Sequence, residues 1–441
     1  MPPDAILVRR GRVIDPAAGR DCVADVRIRE GRVLEVGEDL APRDGEAVFE
    51  ARGRLVTPGL VDLHVHLREP GQEAKETIAA GAAAAAAGGF TTICAMPNTD
   101  PVVDTPERVR FVVERGRVAG AARVLPIAAA TVGSRGGRLT EVACLAEAGA
   151  VAVSDDGLPI ATAELLAGAL VAARQTGIVV ADHCEDRRLS AGGAVFADVA
   201  AELGVAGIPA EAESDAVARD LEVLAVSGGR LHVCHVSTAG SVEQIREAKR
   251  TGLAVTAEVS PHHLTLTTEA VGRLGSQAKM NPPLASAADR DSVLAALLDG
   301  TLDCVATDHA PHTGEEKARG LAAAPFGVIG LETAFGVLYT ELVLPGRMPL
   351  AVLIERLTAG PARVFGLPAG ALRPGDPADL AVFDLGTEWE VDPGAFRSRG
   401  RNSPWAGRRL FGRPVLTLVG GRVVHDRMSP DEGRLEAEVR R

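Results

Sequence analysis

The sequence predicts an α/β protein: a (β/α)8 TIM barrel carrying a small β-sandwich module formed from both chain termini. Three observations predict it. Eight apolar, β-branched runs alternate with helix-period segments through the middle of the chain. Most of those runs finish in His, Asp, Asn or Ser. Strand-like runs of period two, broken by glycine turns, occupy both ends.

Taken in order, AILVRRGRVIDP, ADVRIREGRVLEVG and AVFEARGRLVTPG within the first sixty residues read as short strands joined by hairpins. The same texture returns in DLAVFDLG at 379–386 and PVLTLVGGRVVHD at 414–426. Residues 1–54 and 366–441 are therefore expected to build one β module, with the barrel over 55–365. Barrel strands are expected at LVDLHVHL (60–67), FTTICAMP (90–97), RVLPIAAATV (123–132) and AVAVSDDG (150–157). Four more are expected at GIVVADHCE (177–185), RLHVCHVST (230–238), AVTAEVSPHH (254–263) and DCVATDHAPH (303–312). Helices are expected between them, as at 105–117 and 162–177. An open doubly wound sheet would also hold parallel strands. The gathering of polar residues at the C-terminal ends of the runs favours the barrel, whose sites lie there.

Composition narrows the function classes. The 441 residues are 46% hydrophobic, ample for a large core, and carry a formal charge of −12. That balance argues against a nucleic-acid face, which needs clustered Lys and Arg. A few local arginines can still hold an anionic substrate. The start lacks a long apolar run or cleavage site, so no signal peptide is read and a cytoplasmic location is expected. GAAAAAAGG at 81–89 is too short to cross a bilayer. The six cysteines are scattered with no CxxC pair, and several lie inside apolar strand-like runs, where they read as buried reduced thiols.

The chemistry begins at the first barrel strand, His64-Val65-His66-Leu67-Arg68. Side chains at i and i+2 share a face, so both imidazoles point into the barrel, with Val65 and Leu67 outward. Two neutral imidazoles on a rigid strand make half of a divalent-metal site. Arg68 has the same parity and can grip a carboxylate bidentately. Later strand ends add His183, His235, Asp308 and the pair Asp155 and Asp156. Any one of these alone is more simply a hydrogen-bonded core residue. Together at one end of one barrel they need metal or mutual pairing to offset desolvation. His232, His309, His262, His263 and His425 are read as structural, and Glu69 and Glu185 as supporting partners or surface charges.

HisValHisLeuArgGluPro (64–70), AlaMetProAsnThr (95–99), SerAspAspGly (154–157), HisValCysHisValSer (232–237), MetAsnProProLeu (280–284) and AlaThrAspHisAlaProHis (306–312) resemble the motifs of class I bacterial dihydroorotases of the amidohydrolase superfamily. The resemblance spans nearly the whole chain. It implies that His64, His66 and Asp308 hold one metal ion and that His183 and His235 hold a second, giving one or two zinc ions. Many superfamily members bridge two metals with a carbamylated lysine, but this chain has no lysine between Lys75 and Lys249. The class I pattern puts Asp156 in that place, with Asp155 as the fallback. Arg68, Asn98, Asn281, His312, Phe326 and Gly327 match substrate-contact positions, and the 313–327 stretch is expected to overhang the site as a lid.

The activity so implied is the reversible cyclisation of N-carbamoyl-L-aspartate to L-dihydroorotate in pyrimidine biosynthesis. Metal-activated hydroxide attacks the ring amide, and Asp308 serves as base and then acid. The partners implied are this small-molecule substrate and a second copy of the chain as a homodimer, with no nucleic acid and no membrane. A complex with aspartate transcarbamoylase is compatible with this. Two alternatives compete: another cyclic amidase of hydantoinase or allantoinase type, and a non-catalytic dihydroorotase-like subunit supporting aspartate transcarbamoylase. Arg68, Asn98 and Asn281 count against the first, and the filled ligand positions against the second.

Overall fold

The computed structural model describes residues 5–427 and 434–435. Eight parallel strands form one sheet in chain order. They are β1 (Leu60–Val65), β2 (Phe90–Ala95), β3 (Arg123–Ala129), β4 (Ala152–Ser154), β5 (Val179–Asp182), β6 (Leu231–Val233), β7 (Val255–Val259) and β8 (Cys304–Val305). All eight fall inside the expected runs. The ring closes between the last segment and the first: Val65 bridges His309 in parallel, and the His66 amide donates to the His309 carbonyl at 2.8 Å. Buried Asp62 completes the seam by accepting from the Thr307 amide at 3.1 Å and its hydroxyl at 2.5 Å.

Helices return the chain from each strand to the next, and threonine starts several of them. Thr77, Thr105, Thr162 and Thr238 each accept the amide three residues on, satisfying a donor that the first helical turn leaves free. The helices Pro106–Ala119 and Ala163–Thr176 end at Gly120 and Gly177, both left-handed. The alanine run becomes the helix Ile78–Ala87, pressed between barrel and terminal sheet. Its small side chains are a steric need: a Cβ on Gly81 would lie 2.3 Å from Leu67. Among the described residues no helix is long and apolar enough to cross a membrane.

The two ends of the chain build a nine-stranded sheet. Its spine runs Arg422–Asp426, Arg413–Val419, Leu380–Asp384, Leu55–Pro58, Ala5–Asp15, Arg20–Arg29 and Arg32–Gly37. Leu55–Pro58 pairs with Ala5–Asp15 and Leu380–Asp384, so it lies in this sheet, and Gly59 alone separates it from β1. Ile6, Val13, Val26, Val56, Leu380 and Leu416 make this module's own apolar core. Cys94, Cys184, Cys234 and Cys304 are buried free thiols, whereas Cys22 and Cys144 are exposed.

Candidate active site and metal centre

At the C-terminal ends of the strands the backbone bends to aim its polar side chains. Arg68 (φ 61°), His235 (φ 34°) and Asp308 (φ 47°) all sit in the left-handed region that non-glycine residues avoid. Each such residue costs on the order of 1–3 kcal/mol and persists where surrounding contacts over-determine it. Here the contacts are plain. Glu213 accepts the Ser237 amide at 3.1 Å, the Thr238 amide at 3.0 Å and the Thr238 hydroxyl at 2.9 Å, anchoring the loop that follows His235. Val65 and Leu67 join the apolar shell while His64 and His66 are buried among polar groups, as the alternation requires.

Asp156 lies at the centre. One oxygen faces His64 Nε2 at 3.4 Å and His66 Nε2 at 3.5 Å. The other faces His235 Nε2 at 3.4 Å and His183 Nδ1 at 3.6 Å. Asp308 Oδ1 stands 3.1 Å from His66 Nε2 and 3.6 Å from His64 Nε2. Asp155 turns the other way, accepting the Thr131 amide at 3.0 Å and hydroxyl at 2.6 Å. His64, His66 and Asp308 can converge on one ion, and His64, Asp156 and His235 form a second converging set.

A divalent ion fits these residues by a test independent of any relative. His64 Nε2 and Asp156 Oδ1 are buried without a hydrogen-bond partner, and such groups are costly unless something satisfies them. Burial opposes charge on His64, but Asp156 and Glu258 outweigh it and lift the imidazole well above its ordinary range. Burial likewise opposes an ionised Asp156, but His64, His183 and His235 hold its carboxyl well below the usual range. The field in the pocket favours a cation between the imidazoles.

Three supporting residues escaped the sequence reading. Glu258 on β7 accepts from His64 Nδ1 at 2.7 Å and His232 Nε2 at 3.1 Å, and His232 meets the Thr256 hydroxyl at 2.9 Å. That chain fixes the His64 tautomer, leaving Nε2 bare for an ion. A charged residue inside the buried run AVTAEVS was the available signal. We expect Glu258→Gln to weaken divalent-metal affinity about 10- to 100-fold. Competition with a chelator measures it, and unchanged affinity would refute the role. Glu213 and Asn402 gave no sequence signal.

The expected substrate-contact residues gather at the rim. Arg68 is buried, its Nε 3.3 Å from the Pro311 carbonyl, and burial draws its pKa to about 10 against the pull of Asp308 and Asp156. His312 Nε2 donates to the Phe326 carbonyl at 2.7 Å, and its backbone amide donates to Asn402 Oδ1 at 3.1 Å. Asn98 Oδ1 is 2.8 Å from His66 Nδ1, so part of this side chain orients a candidate ligand. Asn281 Nδ2 reaches His183 Nε2 at 3.1 Å and Glu185 Oε1 at 3.2 Å, making Glu185 a partner of the site.

Among the remaining histidines, His309 accepts the Gly330 amide at 3.2 Å, and His263 Nε2 donates to the Pro282 carbonyl at 3.0 Å. His262 is fully buried with neither ring nitrogen paired, unlike the satisfied core group expected of it. His425 sits in the terminal sheet opposite Thr417.

The sequence profile of the Dihydro-orotase-like family matches residues 53–241. A dihydroorotase from Anaeromyxobacter dehalogenans (strain 2CP-1 / ATCC BAA-258) is 54% identical over 97% of this chain and 99% of its own length. A dihydroorotase from Pelotomaculum thermopropionicum is 50% identical over 95% of this chain and 98% of its own. Among solved structures, the L-hydantoinase (dihydropyrimidinase) from Arthrobacter aurescens aligns with a TM-score of 0.86 at 28% identity, covering 96% of each chain.

Proposed function

Because the chain belongs to the dihydroorotase family, hydrolases of cyclic amides, we propose that it interconverts L-dihydroorotate and N-carbamoyl-L-aspartate with the help of bound zinc. The observation that carries this is the arrangement around Asp156: one carboxylate offers an oxygen to each of two histidine pairs, with Asp308 beside one pair. His64, His66 and Asp308 would hold one ion, and His183 and His235 a second, with Asp156 between them. Zinc suits a donor set of imidazoles and carboxylates. When bound, the ion supplies Lewis acidity and makes water acidic enough to ionise near neutral pH.

The chain's own residues do the rest. Arg68 pairs with the carboxylate of the ring, and the amide groups of Asn98 and Asn281 suit its polar edge. Asp308 takes a proton from the attacking water and delivers it to the ring nitrogen as the C–N bond breaks. In the other direction the ureido nitrogen attacks the side-chain carboxyl carbon, Asp308 passes the proton the other way, and water leaves. One water is consumed on opening and one released on closure.

Conversion of both compounds by purified enzyme, after chelation and after zinc return, tests the proposal, with a hydantoin as control. We expect chelation to remove turnover and zinc to restore it with dihydroorotate and not with the hydantoin. Preference for the hydantoin would move the reading toward the structural neighbours and defeat it. Zinc-loaded protein inert on both would favour a non-catalytic subunit.

A further inference from the structure

Lys317 is 1% exposed, yet its ammonium pairs with no carboxylate among the described residues. Its Nζ donates to three main-chain carbonyls instead: Gly327 at 2.9 Å, Pro325 at 3.1 Å and Lys279 at 3.3 Å. Enclosing an ammonium is costly unless charged hydrogen bonds offset it. An apolar side chain would fill the same space without that cost. What only an ammonium offers is three donors radiating from one point.

Those carbonyls come from two loops, each of which also holds a residue of the site. Lys279 lies two residues before Asn281, which reaches His183 and Glu185. Pro325 and Gly327 flank Phe326, whose carbonyl holds His312 beside Arg68. The loops are also joined directly, the Gly327 amide donating to the Lys279 carbonyl at 2.9 Å. Asn402 Nδ2 adds a second donor to the Gly327 carbonyl at 3.1 Å. Lys279 crosses back over the segment, its Nζ 4.6 Å from the Phe326 ring centre and 3.0 Å from the Ala322 carbonyl. Gly327 has φ 130°, and a Cβ there would lie 2.7 Å from Ala310 and 3.1 Å from His312 Nε2. The stretch expected to act as a lid is bound down around Lys317.

We propose that Lys317 is a positioning residue that clamps the Asn281 loop to the Phe326–Gly327 turn and so sets the width of the substrate pocket. The inference rests on the dihydroorotase reading of that pocket. Its contribution is to ring binding rather than to proton transfer, because no atom of Lys317 contacts the candidate ligands or Asp308 within hydrogen-bond distance among the described residues. Burial draws the Lys317 ammonium down to about 7, with the Lys279 charge adding to the effect and Glu316 opposing it.

The test is Lys317→Met in the full-length, zinc-loaded enzyme, which removes all three donors and leaves an unbranched side chain one heavy atom shorter. We expect KM for dihydroorotate to rise roughly tenfold or more, with kcat changed less than about threefold and bound metal unchanged. Hydrogen exchange of the peptide around Gly327 should quicken in the ligand-free variant. An unchanged KM, or a fall in kcat at constant KM, would overturn the clamp, as would unaltered exchange. Should the variant not fold, Lys317→Gln retains two donors and should show an intermediate rise in KM; no rise defeats the proposal equally. Exchange is read without substrate, so a wild-type enzyme that ignored dihydroorotate would refute the function while leaving the clamp to be decided.

Discussion

Asp308→Asn should lower kcat about 10²- to 10⁴-fold with the fold and the other ligands intact, the loss expected when a positioned base is removed. The side chain keeps its shape but loses the charge that accepts a proton. Burial alone would favour the neutral acid. The hydrogen bond from His66 and the nearby His64, His66 and His235 outweigh it and keep the carboxyl well below the usual carboxylate range. Asp308 is therefore ionised when the cycle begins. The left-handed backbone at this position shows that the fold spends conformational energy to aim it. Steady-state kinetics beside metal analysis and circular dichroism give the measurement. An asparagine variant with wild-type turnover at full metal loading would end Asp308's assignment as base.

The second large effect separates two adjacent carboxylates. Asp156→Ala should abolish metal retention and lower activity at least about 10³-fold, because both histidine pairs lose the carboxylate between them. Asp155→Ala should leave metal content unchanged and instead cost about 2–4 kcal/mol of stability, since the Thr131 amide and hydroxyl both lose a buried acceptor. Metal stoichiometry after gel filtration and urea unfolding of both variants make the comparison. If Asp155→Ala shed metal and Asp156→Ala kept it, the assignment would be reversed.

Much of this site was readable before folding. His64 and His66 announce themselves because strand alternation carries two imidazoles to one face, whichever fold contains the strand. The eight short, β-branched apolar runs between helix-period segments point to strands, because strands of a parallel sheet are buried on both faces. The pairing of Asp156 with four histidines was a different matter. SerAspAspGly contains two equal carboxylates, and nothing local distinguishes them. The distinction comes from Thr131, on a neighbouring strand end, which engages Asp155 and leaves Asp156 to face inward.

Glu258 shows the same division. A glutamate within a buried run was visible as an anomaly, but its partner His64 lies 194 residues away. Asn402 was invisible, since it comes from the C-terminal segment and reaches His312 across 90 residues. Lys317 carries no local signal of its role, because its three carbonyl partners come around it only in the fold. The sequence by itself determined the element types, the strand-end chemistry and the family, because these depend on local periodicity and on residue types at short spacing. Tertiary structure alone decided which carboxylate faces the imidazoles, which groups orient them and what holds the pocket walls together. Those outcomes depend on desolvation and on contacts between distant segments, energies that exist only once the barrel has closed.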